Sequence, residues 1–310
     1  MQSTRQSMKK IGALGVALTV LAVLVCSIQA QPSPSYTGHY VPGVEGIKGA
    51  SLPPPGFYAR DYNAFYWANQ LNGPNGTEGP LNFNVFAYAS LIRPIWISEW
   101  KVLGGNLGMD MIVPLQYTDL TVKVGGATAY DAQIFGIGDL YFEPATLSWH
   151  GKQWDAAVGY SFFAPTADSE PDSAKPGKGY WTQMLTAGAT LYFDEAKTWS
   201  LSLLNRYEFN MEDENTGITP GQEWTLEWGL GKGVSKLVEL GISGYCQMQT
   251  TEDSGPNASP NLDQALALGP EVTVVWPQTG ILFSLRYLHQ FDVYDRPEGS
   301  IATLTLTRRF

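Results

Sequence analysis

Three histidines and two cysteines are the only imidazole and thiol groups in this 310-residue sequence. No ligand spacing typical of a metal site connects them. Cys26 lies in an apolar N-terminal stretch, so removal of that stretch would leave Cys246 as a single thiol, which excludes an internal disulfide. The sequence therefore predicts no metal centre and no cofactor, and Cys246 is interpreted as a small strand residue.

Basic residues are also scarce, with 19 Lys and Arg against 29 Asp and Glu and a formal net charge of −10. Binding to a polyanion requires a basic surface, so nucleic acid is excluded as a partner. Charged residues of both signs make up only 15% of the chain, whereas aromatic residues make up 13% and glycine occurs 33 times. This composition favours strands and turns and predicts an all-β fold.

The chain lacks an apolar run of the roughly 20 residues that a membrane-spanning helix needs. Its longest such run, residues 11–25, follows Arg5, Lys9 and Lys10 and precedes the small residue Ala30. These features predict a secretory signal peptide over residues 1–30 with cleavage after Ala30, and a short membrane anchor is the alternative. Residues 31–56 form a lead rich in Pro and Gly, predicted to be extended and to lie in the periplasm or enter a lumen; its alternative is a loose spacer.

From residue 57 onward, strand-like runs alternate with connections, and long connections alternate with short ones. The predicted runs cover 57–69, 81–97, 102–117, 134–149, 154–163, 180–193, 199–210, 222–231, 237–250, 265–276, 281–292 and 300–310. Long connections are predicted at 70–80, 118–133, 164–179, 211–221, 251–264 and 293–299. This pattern predicts an antiparallel transmembrane β-barrel of about 12 strands over residues 57–310, located in the outer membrane. A soluble β-sandwich is not expected to alternate long and short connections.

Alternation within the runs predicts which face meets lipid. In residues 199–210, apolar side chains such as Trp199 and Leu203 share one face and polar ones such as Arg206 share the other. Charged side chains therefore collect on the predicted lumen face. The candidate lumen-lining residues are Arg206, Glu208, Glu239, Arg286 and Asp292. Two interpretations stay open, namely residues that set the selectivity of a pore and a salt-bridge network that fills a narrow barrel.

The last strand carries its own signal. Residues 301–307 alternate strictly between apolar and polar or β-branched faces, and the chain ends in Phe310. This ending is typical of the strand that closes an outer-membrane barrel. We therefore expect Phe310 to serve barrel closure and recognition by the barrel assembly machinery. Removing Phe310 is predicted to impair assembly far more than Arg308→Leu.

No catalytic residue is predicted. Twelve-stranded outer-membrane phospholipases use a His-x-Ser pattern, and none of His39, His150 and His289 is followed by it. Acid-rich loops at 168–172, 212–214 and 252–253 could bind Ca²⁺ or the cations that bridge lipopolysaccharide, or they could be solvated loop faces.

Several short segments, in their order and spacing, resemble a known family. They are residues 38–43, 51–58, 136–140 with Pro144, 164–166, 244–250 with Asp253, and 269–272. Together they resemble the outer-membrane proteins associated with the meta-pathway of phenol degradation. The resemblance implies a channel for uptake of small hydrophobic or aromatic compounds by facilitated diffusion, with outer-membrane lipid and such a solute as partners. A structural or surface-interaction barrel without transport is the alternative, followed by an outer-membrane hydrolase.

Overall fold

The computed structural model describes residues 37–169 and 174–310, so the predicted signal peptide lies outside the described residues. Within these ranges thirteen β-strands form one antiparallel sheet. The strands are β1 (Gly56–Leu71), β2 (Asn82–Val102), β3 (Gly105–Val124), β4 (Ala127–Ile137), β5 (Leu140–His150), β6 (Trp154–Ala164), β7 (Thr182–Tyr192), β8 (Trp199–Asn210), β9 (Glu223–Gly233), β10 (Val238–Gln249), β11 (Gln264–Trp276), β12 (Ile281–Tyr294) and β13 (Pro297–Arg309). No helix among the described residues is long and apolar enough to span a bilayer.

The sheet closes on itself because β1 pairs with β2 on one side and with β13 on the other. Tyr58 lies opposite Arg309, and the N–H of Phe310 donates to the carbonyl of Phe57 at 2.9 Å. The rings of Phe57 and Phe310 lie 6.2 Å apart between centroids. The predicted closed antiparallel barrel is confirmed, and the terminal residue sits at its seam.

Two of the thirteen strands share one position in the barrel wall. β3 pairs with β2 along one edge and with both β4 and β5 along the other. Residues Gly138 and Asp139 separate β4 from β5, and β4 pairs with no strand except β3 in the described part of the chain. The wall therefore has twelve positions, as predicted, and one of them is interrupted.

Two of the predicted long connections were wrong. Residues 118–133 form the ends of β3 and β4, joined at Gly125 (φ 57°) and Gly126 (φ 87°). Two positive φ angles are what the tightest hairpin turn requires, and glycine adopts them without strain. Residues 293–299 likewise belong mostly to β12 and β13. In both places a polar strand face had been interpreted as a loop.

The remaining long connections lie at one end of the barrel, here called the loop end, and their described residues are 72–81, 165–169, 174–181, 211–222 and 250–263. The short turns and the seam residues Phe57 and Phe310 lie at the other, the turn end. Large apolar side chains such as Leu185, Leu285 and Trp276 point outward and are about half exposed. Inward-facing residues such as Thr182 are buried and polar. An apolar outer face around a polar interior is the arrangement of an outer-membrane barrel.

Candidate functional site

The barrel interior is crossed by the N-terminal segment, defined as residues 37–55. At the loop end His39 contacts Thr182, the first residue of β7. At the turn end Ser51 donates to Asp155, near the start of β6, at 2.9 Å. Ala50, between these contacts, is only 1% exposed. The segment therefore occupies the lumen from one end to the other.

Wall carboxylates hold this segment by its main chain. An irregular segment has no sheet partner, so its buried N–H groups need other acceptors. Three glutamates on β8, β9 and β11 supply them. Glu208 accepts from the N–H of His39 (2.8 Å) and Tyr40 (3.1 Å), Glu227 from Gly43 (2.8 Å) and Glu45 (3.0 Å), and Glu271 from Ile47 (3.0 Å).

A buried charge cluster fixes the middle of the segment. One Glu45 side-chain oxygen lies 3.2 Å from Nη1 of Arg60 and 3.5 Å from Nη1 of Arg93. Arg93 also makes two 2.8 Å bonds to Asp110 and one of 3.1 Å to Glu143. Such pairing is needed because an unpaired charge inside a protein is strongly destabilising.

Wall glycines make room for the chain. A Cβ atom at Gly229 would lie 2.5 Å from main-chain atoms of Gly46 and Ile47, closer than atoms can approach. A Cβ atom at Gly188 would lie 2.8 Å from the Cβ of Ala50. The backbone of the N-terminal segment thus packs directly on the backbone of the wall.

The loop-end anchor is the ring of His39, which sits in a pocket of its own. Phe163 stacks on it with centroids 4.9 Å apart, and Tyr180 meets it edge-on at 4.7 Å. Its Nδ1 lies 2.8 Å from Oγ1 of Thr182, and its Nε2 lies 3.1 Å from Oδ2 of Asp139. The ring is therefore covered on its face and bonded at both polar edges.

Asp139 lies at the interruption between β4 and β5. Besides His39, it accepts the N–H of Ala167 at 3.0 Å and of Lys178 at 2.8 Å, both in the connection between β6 and β7. Lys178 in turn donates its ammonium to the carbonyl of Thr37 at 2.6 Å. Asp139, at the interruption of the wall, thus binds both the connection between β6 and β7 and the start of the N-terminal segment.

Burial lowers the pKa of His39 to about 4, although the bond to Asp139 opposes the shift. The ring is therefore neutral near pH 7. A carboxylate can only accept, so the proton of the neutral ring lies on Nε2, facing Asp139. The hydroxyl of Thr182 then donates either to Nδ1 or to Oδ1 of Asn210, which is 2.6 Å away.

Two cavities lie on either side of the N-terminal segment. The loop-end cavity has a volume of about 920 Å³ and the turn-end cavity about 950 Å³, and both reach Val44 and Glu45. The turn-end cavity is lined by many charged side chains, including Lys48, Arg60 and Arg309. The loop-end cavity also has charged lining residues, such as Arg93, Arg206 and Arg296, but it differs in its nine tyrosines: Tyr40, Tyr62, Tyr66, Tyr88, Tyr117, Tyr130, Tyr141, Tyr180 and Tyr245.

Comparison with known proteins gives the chain its family. A family model described as the MetA-pathway of phenol degradation matches residues 68–306. The chain belongs to this family. The phenol-degradation resemblance stated from the sequence is confirmed. No match was found among curated proteins.

Two solved structures share the fold of this phenol-degradation family member. The COG4313 outer membrane channel from Pseudomonas putida F1 has a TM-score of 0.74 at 14% identity, covering 88% of this chain and 100% of that one. The translocator domain of the autotransporter NalP from Neisseria meningitidis has a TM-score of 0.50 at 10% identity, covering 84% and 91%. The CymD monoaromatic hydrocarbon channel has a TM-score of only 0.41 at 9% identity, covering 83% and 89%.

Four of the five candidate lumen residues lie inside the barrel of this phenol-degradation family member. Arg206 pairs with Glu227 at 2.6 Å and Arg286 with Glu271 at 2.8 Å, whereas Glu239 pairs with Lys48 of the segment at 2.8 Å. The two arginines also contact the segment. Arg206 lies 4.1 Å from the ring centre of Tyr40, Arg286 donates to the carbonyl of Gly43 at 3.3 Å, and Glu208 accepts the two amides described above.

Asp292 is not brought into this group. Its backbone has φ 54°, and the register between β11 and β12 shifts nearby, so its side chain is exposed and accepts a bond from Gln264 at 2.8 Å. A bulge reverses the alternation on which its lumen position was predicted. Phe310 lies at the seam, and its role in assembly stays a prediction.

Sequence reasoning missed His39, Asp139, Glu227 and Glu271. Glu227 lies on the polar face of its strand, but its role as an acceptor of main-chain amides depends on the position of the N-terminal segment. Thr182, His39 and Asp139 form a hydroxyl, imidazole and carboxylate series, yet Thr182 is fully buried with its hydroxyl against the His39 ring. A molecule could reach that hydroxyl only after the ring had left, and the imidazole needed as a base would then be gone. Within residues 37–169 and 174–310, no group of three or more His, Cys, Asp or Glu could hold a metal ion.

Proposed function

We propose that this protein is an outer-membrane channel through which small hydrophobic or aromatic solutes enter by facilitated diffusion. Membership of the phenol-degradation family supports the solute class, and the fold shared with the Pseudomonas putida channel supports the location. The observation that carries the proposal is the tyrosine-lined cavity of about 920 Å³ at the loop end. Outer-membrane lipid would contact the apolar outer face, and the solute would enter this cavity.

The cavity suits solutes that combine a ring with a polar group. Tyrosine offers an apolar ring face and a hydroxyl, and a volume of this size is in the range of small-molecule sites. Two of the hydroxyls are held in place by one amide, as Tyr66 donates to Gln290 at 3.0 Å and Gln290 donates to Tyr245 at 2.9 Å. Such fixed groups can orient a solute without closing the cavity.

The N-terminal segment lies between the two cavities, so passage requires its displacement. Facilitated diffusion has no energy source, and the segment must therefore open by thermal fluctuation or by the binding of the solute. Its contacts are mainly hydrogen bonds and ion pairs along one chain, which can be released one after another. Displacement of residues 37–45 would join the two cavities.

The test uses cells in which the outer membrane limits entry. A Gram-negative host without other aromatic channels would export a phenol oxidase to its periplasm, and phenol oxidation at low concentration would be compared between intact and lysed cells. Production of this protein should raise the rate in intact cells only. Hydrolysis of glycerol 2-phosphate by periplasmic alkaline phosphatase, a polar comparison, should rise much less. An unchanged phenol rate, with a folded heat-modifiable band in the outer membrane, would contradict the proposal.

The filled lumen favours a second candidate, a structural or surface-interaction barrel that does not transport. In that case deletion of the connection at 211–222 would abolish binding to a surface partner while permeability stayed at the level of the empty host. The same oxidase assay separates the two functions. A hydrolase activity has less support. Labelling of the folded protein by a serine-directed reagent would be the evidence for it.

A further inference from the structure

We propose that the pocket now filled by the His39 ring is a binding site for a monocyclic aromatic solute that carries a hydrogen-bond donor, and that the solute enters by displacing His39. The inference rests on the proposed function, because it names the solute class and the place where the solute acts. The His39 side chain occupies the pocket as a tethered ligand would, and phenol is the simplest solute that could compete with it for the pocket.

The pocket has the dimensions and chemistry of a one-ring site. Phe163 stacks on the ring face at an interplanar angle of 17°, and Tyr180 closes the side at 70°. Both arrangements are favourable for aromatic pairs and are lost for an aliphatic ring. Oδ2 of Asp139 and Oγ1 of Thr182 lie at opposite edges of the ring, so a hydroxyl on a bound ring could donate to either.

The pocket opens onto the loop-end cavity. His39, Asp139, Phe163 and Tyr180 all line that cavity, although the His39 side chain itself is only 3% exposed. A solute in the cavity therefore meets the edge of the pocket without crossing the wall. Only the swing of one side chain, or of the first residues of the segment, separates the solute from the site.

Displacement of His39 would also loosen the segment. The loop-end part is held by the ring, by the two amides on Glu208 and by the bond from Lys178 to Thr37. A solute ring can bind only when His39 has left the pocket. Its binding therefore shifts the equilibrium toward the state in which the start of the N-terminal segment is released. Solute binding and opening of the lumen are thereby coupled at one residue.

The experiment measures equilibrium binding of 4-fluorophenol to the full chain in detergent by fluorine NMR. His39→Ala empties the pocket, whereas His39→Phe keeps a tethered ring in it that lacks the bonds to Asp139 and Thr182. A tethered ring competes at an effective concentration in the millimolar range or above, so His39→Ala should bind at least about tenfold tighter than the unmodified protein. Imidazole should displace 4-fluorophenol from His39→Ala, and cyclohexanol and toluene should do so less well.

Three variants control this result. His289→Ala removes an exposed histidine and should bind like the unmodified protein, which accounts for solute that partitions into detergent. His39→Phe keeps a ring in the pocket and should show a smaller gain than His39→Ala. Adding Phe163→Ala to His39→Ala should abolish the gain even if the start of the segment has left the lumen. Equal binding by His39→Ala and His289→Ala, or a gain in His39→Ala that Phe163→Ala leaves unchanged, would overturn the proposal.

Binding and transport fail separately in this design. A gain in binding with no oxidase signal would uphold the ring site and refute transport. Faster phenol entry with no gain in His39→Ala would uphold the channel and refute the ring site.

Discussion

The two halves of the N-terminal segment are held in different ways. The outer half, residues 37–43, is attached by the His39 ring in its aromatic pocket and by the side chain of Tyr40, which donates to Glu227 and lies 4.1 Å from Arg206. Hydrogen bonds to its main chain complete the attachment. The inner half, residues 44–51, adds ion pairs, as Glu45 meets two arginines and Lys48 meets Glu239. It also packs on wall glycines where no side chain fits.

This difference gives the halves different stabilities. A hydrogen bond to a charged group contributes about 1.5–3 kcal/mol net, whereas breaking a buried ion pair by removing one partner costs about 3–5 kcal/mol. The outer half should therefore open first, and it is also the half that borders the tyrosine-lined cavity. Hydrogen exchange measured by mass spectrometry should find the amides of His39 and Tyr40 less protected than those of Ile47 and Ala50.

The largest change is expected from Glu45→Gln. Without its charge, Arg60 and Arg93 lose a buried partner, and the inner half should lose about 3–5 kcal/mol of protection. That loss corresponds to an increase of about two to four orders of magnitude in exchange at the Ile47 amide. Glu252→Gln, in an exposed loop, is the matched control. A larger loss at His39 than at Ile47 would reverse the comparison.

Gly229→Ala tests the packing of the inner half on the wall. The new methyl group would collide with Gly46 and Ile47, and overpacking of this kind costs up to about 3 kcal/mol. Single-channel recordings should show more frequent open events. Gly233→Ala lies on the same strand with its nearest atom at 3.7 Å and should leave the recordings unchanged. Identical recordings for both variants would show that the segment is not seated as described.

Acid should loosen the outer half selectively. The pKa of His39 is about 4 when docked and near 6.5 when released, so the released segment takes up a proton first as pH falls. The docking contribution of the ring is complete above pH 6.5 and is lost toward pH 4, by about 2 kcal/mol between pH 7 and pH 5. Exchange at Tyr40, corrected for its intrinsic rate, should rise over this interval, and His39→Phe should reduce the rise.

The smallest change is expected from Thr182→Val. It removes the partner of His39 Nδ1 and should weaken the outer half by about 1 kcal/mol, leaving the inner half unchanged. Thr186→Val is a close control, because Thr186 lies on the same strand and its hydroxyl has no hydrogen-bond partner among the described residues. Equal effects of the two variants on Tyr40 exchange would show that the bond to His39 contributes nothing.

Much of the barrel could be predicted from the sequence because lipid and lumen impose a period of two on each strand. The bounds of β8, at Trp199 and Asn210, were predicted to the residue. The prediction failed where the pattern is broken by backbone geometry. The double glycine at 125–126 turns a polar stretch into a hairpin, and the positive φ of Asp292 moves one side chain off its face.

The candidate site could be predicted from the sequence only in part. His39 and Asp139 are 100 positions apart, and nothing in the local pattern of either indicates the other. Arg206, Glu208, Glu239 and Arg286 were found because alternation places charges inside the barrel. These charges hold a chain segment because residues 37–55 run through the barrel. The alternation of polar and apolar residues does not indicate that path.

The wall glutamates recognise amide groups, and every residue except proline has one. Glu208, Glu227 and Glu271 therefore constrain the path of the segment far more than its composition. Side chains that face the cavity, such as Val41, can change without removing any of these bonds. Related channels could thus acquire different solute preferences through a few substitutions in one short stretch, and a laboratory library confined to that stretch would retain the scaffold.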